Sequence, residues 1–152
     1  MKKLFSILFL SLISFSLNSQ DKGFGAGIII GEPTGISLKG WMTSTTAIDA
    51  GIAWSFLDDG SLHLHGDYLV HFNVFNTTSK IPLYVGIGGR IKFKNNKKII
   101  DNRIGVRVPF GIDFMLNSAP VDIFIEVVPV LDLSPKTDVN FNGAVGVRYF
   151  FN

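Results

Sequence analysis

The sequence predicts an all-β protein: an eight-stranded antiparallel up-and-down transmembrane β-barrel that follows an N-terminal signal peptide. Three observations predict it. Eight stretches alternate apolar and polar residues with a period of two, the repeat of a strand with two unlike faces. Charges within those stretches fall on one face only. The chain closes on a glycine followed by aromatics at alternate positions.

The clearest stretch is Arg103 to Leu116. Ile104, Val106, Val108, Phe110, Ile112, Phe114 and Leu116 form one face; Arg103, Gly105, Arg107, Pro109, Gly111, Asp113 and Met115 form the other. A tilted strand crosses a bilayer with roughly 9–11 residues, so this one is long enough. A soluble barrel would turn the apolar face inward. Its solvent face would then alternate charge with glycine, and glycine weakens an exposed strand. Inside a narrow lumen, glycine makes room for long side chains to meet carboxylates. The apolar face is therefore read as lipid-facing and the polar face as lumenal.

The 152 residues suit one domain. Hydrophobic residues make up 47% and charged residues 17%, with 14 Phe, an apolar balance for a soluble protein. No apolar run after the N-terminus reaches the length of a spanning helix. Cysteine is absent, which excludes disulfides, thiolate metal sites and a catalytic thiol. Residues 1–19 read as a secretory signal: Lys2 and Lys3 precede the apolar Leu4–Leu17, and Ser19 offers a small residue for cleavage. Residues 20–152 form the barrel domain. Removing Lys2 and Lys3 from 14 basic residues leaves 12 against 12 acidic, so charge gives no reason to expect nucleic acid.

The strands follow in order. The first is 24–31, with Phe24, Ala26, Ile28 and Ile30 outward; Glu32–Gly35 turns the chain. The second, 36–41, places Lys39 inward, and the third, 46–56, places Asp49 inward opposite Ile48, Ile52, Trp54 and Phe56. Asp58-Asp59-Gly60 is a hairpin turn. The fourth, 61–72, carries His63, His65, Asp67 and His71 inward; 73–80 is a polar connection. The fifth, 81–93, places Tyr84, Arg90 and Lys92 inward, and Lys94–Asn102 reads as a basic loop. The sixth is 103–116. The seventh, 121–133, puts Asp122, Phe124 and Glu126 inward; the eighth, 139–151, puts Asn140, Asn142 and Arg148 inward. Pro109 and Pro129 fall inside strands, and a bulge or strand end is expected at each.

The inward charges are Lys39, Asp49, Asp67, Arg90, Lys92, Arg103, Arg107, Asp113, Asp122, Glu126 and Arg148. Near-cancelling signs suit a lumen filled by ion pairs and not an open pore. An Arg or Lys on the lipid face would cost roughly 2–4 kcal/mol at the bilayer midplane. A membrane sheet must close, because hydrocarbon offers no partner to an open edge. Trp41, Trp54, Phe56, Phe72, Phe93, Tyr149 and Phe151 lie near strand ends and could form interfacial girdles.

Gly146-Val147-Arg148-Tyr149-Phe150-Phe151 resembles the C-terminal assembly signal of bacterial outer-membrane barrels, matching at Gly146, Tyr149 and Phe151. Asn152 follows the last aromatic and Ala144 stands where a polar residue is usual. The chain from Phe24 to Phe151 resembles the small barrels of the OmpA and OmpX type. Its "RVPFGIDF", "SAPVDIFIEVVPVLDL" and "GAVGVRYFF" are similar to a family of uncharacterised outer-membrane β-barrel proteins, a domain of unknown function. The resemblance implies outer-membrane location, outer-membrane lipids as surroundings and the barrel-assembly machinery as folding partner. It implies no activity. With both termini periplasmic, the outer loops would be Glu32–Gly35, Asp58–Gly60, Lys94–Asn102 and Ser134–Asp138, short for an adhesin.

Candidate sites are sparse. His63, His65 and Asp67 share one strand face at two-residue spacing, a pattern that can ligate a metal; a lumenal hydrogen-bond network is the plainer expectation. Ser61 with His63 and Asp67 would be the constellation of a lipid-modifying barrel enzyme. Same-face neighbours on a strand lie roughly 6.6 Å apart, too far for a direct bond. The expected protein is not an enzyme and needs no cofactor. The other alternative, a soluble periplasmic barrel holding an apolar ligand, requires every strand to face the opposite way.

Overall fold

The computed structural model describes residues 23–56, 60–96 and 99–151. The predicted signal segment lies outside them, as do Asp58, Asp59, Lys97, Lys98 and Asn152. The strands are β1 (Phe24–Glu32), β2 (Thr34–Trp41), β3 (Thr46–Ser55), β4 (Ser61–Phe72), β5 (Leu83–Asn96), β6 (Ile99–Arg107), β7 (Phe110–Met115), β8 (Val121–Ser134) and β9 (Asp138–Phe151). All pair antiparallel. They fill eight positions of a closed ring, because β6 and β7 lie end to end between β5 and β8. Closure joins β1 to β9, from Phe24 opposite Phe151 to Glu32 opposite Gly143. Followed once around the ring, the registers advance by about ten residues, the stagger that tilts the strands of a closed barrel.

The two faces separate as the period of two requires. Outward, Ile28, Ile87 and Val145 are 56%, 61% and 46% exposed. Inward, Lys39 and Arg148 are 0% and 1% exposed, and every predicted lumenal charge is buried except Arg103, which sits part-exposed at one end. The soluble alternative, which needs the apolar faces inside, is opposed by this arrangement. The interior holds a small apolar cluster of Ile29, Phe124 and Ala144 among the charges.

Several expectations are corrected. Lys94–Asn102 is not a nine-residue loop: β5 runs to Asn96, β6 starts at Ile99, and those two residues pair. Cross-strand pairing extends β5 through Lys94, Asn95 and Asn96, polar residues without the alternation that marks a strand. The first turn is likewise tighter than Glu32–Gly35. β1 includes Glu32 and β2 starts at Thr34, whose hydroxyl accepts from Gly31 N–H and donates to Gly31 C=O. Trp41 is not in an outer girdle. It shares the parity of Lys39 and turns over the His71 ring, 4.3 Å between centroids. Trp54, Phe56 and Phe93 at one end, and Phe72, Tyr149 and Phe151 at the other, do face outward.

The two prolines act at one level, on the two seams that flank the β6–β7 position. Gly86 N–H donates to Pro109 C=O at 2.9 Å, and Val108 N–H donates to Pro129 C=O at 3.0 Å. Residues in such an antiparallel pair normally return the bond, which proline cannot do. The Gly86 and Val108 carbonyls thus each lose a ladder donor, and the predicted sixth strand divides at Val108–Pro109 as expected. The register is the same on both sides, with Arg107 opposite Gly88 and Phe110 opposite Val85. Contrary to expectation, β8 is unbroken at Pro129, and that residue still pairs with Phe141. A proline nitrogen points to one neighbour only, so the ladder towards β9 is untouched. The register shift lies instead at Ile104–Gly105, in the pairing of β6 with β8.

Restoring one donor should be measurable. Pro129→Val supplies an N–H to the Val108 carbonyl, and should raise unfolding free energy by about 1 kcal/mol in a urea titration of the barrel in lipid vesicles. An unchanged or lower midpoint would contradict this account of the seam.

Candidate functional site

The lumen is a three-tiered network of buried charges. Buried ions are tolerated when they are paired and hydrogen-bonded, and the strands here deliver opposite charges to the same level from different sides of the ring. Nearest the termini, Arg148 on β9 donates to Asp49 Oδ2 (2.6 Å), Asp122 Oδ1 (3.0 Å) and Asp113 Oδ1 (3.2 Å). Its guanidinium lies 3.9 Å over the Phe124 ring. Lys39 pairs with Asp113 and stands 2.9 Å from His71 Nε2 and 3.9 Å from Asp122 Oδ2.

In the middle tier, Arg107 Nε is 3.0 Å from Asp67 Oδ2 and its Nη2 is 3.5 Å from Glu126 Oε1. The Tyr84 hydroxyl donates to Glu126 Oε2 at 3.0 Å. At the far end Arg90 makes three bonds to Asp132, of 2.8 to 3.1 Å, and Arg103 is 3.7 Å from the same carboxylate. Asn140 donates to Asp132 at 2.9 Å, and Ser55 donates to Glu32.

Register explains the pairing. Asp122 faces Arg148 directly across β8 and β9. Asp49 faces Asp67 across β3 and β4. Two like charges opposite each other are destabilising on their own, and each is met by its own arginine, Arg148 or Arg107. Glycines open the space. A Cβ at Gly146 would strike the Phe124 ring, and one at Gly51 would strike the His65 ring.

The metal candidates are rearranged. His65 and Asp67 are joined by Asp49 from the neighbouring strand, with one ligand atom of each within 4.8 Å of the others. His63 is not part of that group. It lies towards the far end, 3.4 Å from Arg90 Nη1. Both carboxylates of the cluster already face arginine, so its chemistry is that of an ion-pair network. Nor do Ser61, His63 and Asp67 form a relay: Ser61 Oγ has no hydrogen-bond partner among the described residues, and Asp67 turns to Arg107.

Sequence reading missed Asp132, although it shares the even-numbered face of Asp122 and Glu126. It also missed Glu32, assigned to a turn, and the network roles of Tyr84, Asn140 and His71. Parity places all of these inward except Glu32, but it does not show which partners meet across the ring.

Comparisons with known proteins agree with the architecture. The family described as "Protein of unknown function (DUF3996)" matches residues 16–151. The N-terminal β-barrel domain of Pseudomonas aeruginosa OprF superimposes with a TM-score of 0.65 at 10% identity, covering 87% of this chain and 98% of that one. A de novo designed transmembrane β-barrel gives a TM-score of 0.54 at 14% identity, again covering 87% and 98%. No match is found among curated proteins. The fold is that of a transmembrane β-barrel.

The network should respond unevenly to truncation. Arg148→Met leaves Asp49, Asp113 and Asp122 without their guanidinium, and should cost about 3–5 kcal/mol in urea unfolding. Arg103→Met, at the part-exposed end, should cost about 1 kcal/mol or less. Equal losses would contradict the tiers.

Proposed function

The chain belongs to this family of unknown function, so its role is read from its own geometry. We propose that it is a small integral outer-membrane β-barrel with a structural or surface-interaction role in the cell envelope, and that its lumen is not an open pore. One observation carries the proposal: an unbroken apolar exterior surrounds an interior closed by ion pairs. Hydrocarbon stabilises such an exterior, whereas water would meet apolar surface around the whole ring. Cross-lumen pairs such as Arg148–Asp49 and Lys39–Asp113 span the space a channel would need.

Outer-membrane lipids are the proposed surroundings, with both termini on the periplasmic side. Tyr149 and Phe151 support recognition by the barrel-assembly machinery: both are exposed on the outer face, their rings 5.2 Å apart, on the strand that closes the barrel. Gly146 sits on the lumenal face beneath Phe124, so its absence of a side chain serves packing. The proposed role is not enzymatic. The buried Ser61–His63–Asp67 set supports that reading, because it faces the lumen and not lipid acyl groups. The short hairpins opposite the termini support a modest surface footprint; no ligand follows from them.

The test is envelope fractionation with boiled and unboiled protein compared on SDS gels. Recovery with the outer membrane and a heat-dependent mobility shift are expected. Soluble recovery without a shift would overturn the proposal. Reconstitution in planar bilayers should give no steady conductance. A persistent open channel would refute the closed lumen while leaving the barrel intact.

A further inference from the structure

At the end away from the termini, the lumenal charges do not balance. Register sets His63, Lys92 and Arg103 in one row across β4, β5 and β6. Side chains directly opposite one another on neighbouring strands stand roughly 4.5–5.5 Å apart at Cβ, and like charges so placed destabilise each other. Arg90 lies two residues deeper on β5 and is buried, as Lys92 is. Two acids of the described network stand against these three cations. Asp132 is already well used: it accepts three bonds from Arg90 and one from Asn140, with Arg103 at 3.7 Å. Glu32 takes the Ser55 hydroxyl. One step further out, Lys94 and Asp101 oppose each other in register, and their charges cancel. One positive charge is left over. Deeper, Arg107 meets both Asp67 and Glu126, so the next tier has the opposite sign and the cation surplus belongs to the mouth.

Two buried donors at the same level lack an acceptor. Arg90 Nη1 is 3.4 Å from His63 Nε2. A guanidinium only donates, so Nε2 is the accepting nitrogen and the ring proton sits on Nδ1. His63 is 1% exposed, and its Nδ1 has no partner among the described residues. Ser61 Oγ, two residues away on the same face of β4, is equally buried and equally without one. A buried donor left unmet is costly. His63, Arg90, Lys92 and Asn140 line a cavity of about 160 Å³ together with Glu32 and Ser55. Pockets for drug-sized ligands measure roughly 300–1,000 Å³, whereas one water takes about 30 Å³ of liquid. The cavity therefore suits a group of a few heavy atoms. What the site lacks is negative charge and acceptor atoms for donors on separate strands. A phosphate group supplies both, with three or more free oxygens pointing in different directions; a carboxylate offers two on one side.

We propose that this mouth binds one phosphate group, free or carried on a lipid head, with His63 Nδ1–H and the Lys92 ammonium as its donors. The anion neutralises the surplus charge and separates Lys92 from Arg103. The acid-rich tier beneath repels it, so it is held at the mouth and does not pass through the barrel. The proposal does not depend on which side of the membrane this end faces.

The test uses the full barrel with isotope-labelled histidine, refolded in uncharged maltoside micelles and shown to be closed by its heat-dependent gel mobility. Two probes separate the sources: inorganic phosphate, and dihexanoyl phosphatidic acid, which carries the same group on a lipid. Saturable binding of at least one is expected, moving the ring resonance of His63 and leaving that of His71, at the opposite end of the lumen, in place. A response to inorganic phosphate identifies the free anion as a ligand; a response to the lipid alone identifies a headgroup. Lys92→Met should weaken binding at least about tenfold, the loss expected for one charge-assisted hydrogen bond. Lys136→Met, in the exposed turn between β8 and β9, should change nothing. Lys92→Met protein that fails to close leaves the decision to the histidine resonances of the unaltered barrel. The proposal is overturned if neither probe moves His63, or if His63 and His71 respond alike. It is equally overturned if closed Lys92→Met protein binds as tightly as the unaltered barrel, or if Lys136→Met loses as much as Lys92→Met, which would mark diffuse attraction.

Discussion

Arg148 reaches from β9 to carboxylates on three other strands: Asp49 on β3, Asp113 on β7 and Asp122 on β8. A planar guanidinium with five fixed donors can serve three acceptors at once, which a lysine ammonium on a flexible stem does less well. Much of the interior depends on this group. It lies over Phe124, for which Gly146 leaves room, and it shares Asp113 and Asp122 with Lys39. Replacing it with an apolar residue alone would leave three buried carboxylates facing one lysine. Its selection is therefore tied to those acids as a set.

The apolar exterior and the charged interior are two results of one constraint. In hydrocarbon each backbone group must find its partner within the sheet, so the sheet closes. Closure with eight strands leaves a lumen about as wide as the side chains that fill it. Charged side chains can occupy that space only if they neutralise one another. The paired prolines show how far the constraint bends: two carbonyls lose their ladder donors at one level of two adjacent seams, while the register continues across the gap.

Much of this was legible in the sequence because strand parity is a local rule. Lys39, Asp67 and Arg148 are fixed on the inner face by their neighbours two residues away, whatever the rest of the chain does. Pairing across the ring is not local. Nothing near Arg90 indicates Asp132, which lies 42 positions later, and nothing in His63-Leu64-His65 shows that the two imidazoles serve different tiers. Trp41 misled because an aromatic near a strand end suggests a girdle; its parity with Lys39 was the better guide. The cavity of about 530 Å³ at the end that carries the termini had no sequence signal, because it depends on how the 73–82 connection folds back over β7.

The closing seam has a consequence for the order of assembly. β9 supplies backbone partners to the open edges of both β8 and β1, and it also brings the guanidinium that Asp49 meets from 99 positions earlier. Until that strand docks, a growing sheet of hairpins has two unsatisfied edges and an inner face rich in unneutralised acid. Both defects are removed in one step. Contacts so distant along the chain form slowly, and partial docking gains little, because the edge bonds and the ion pairs come from the same strand. Insertion and electrostatic neutralisation are thus one cooperative event, and an incompletely closed sheet is the species least compatible with the bilayer.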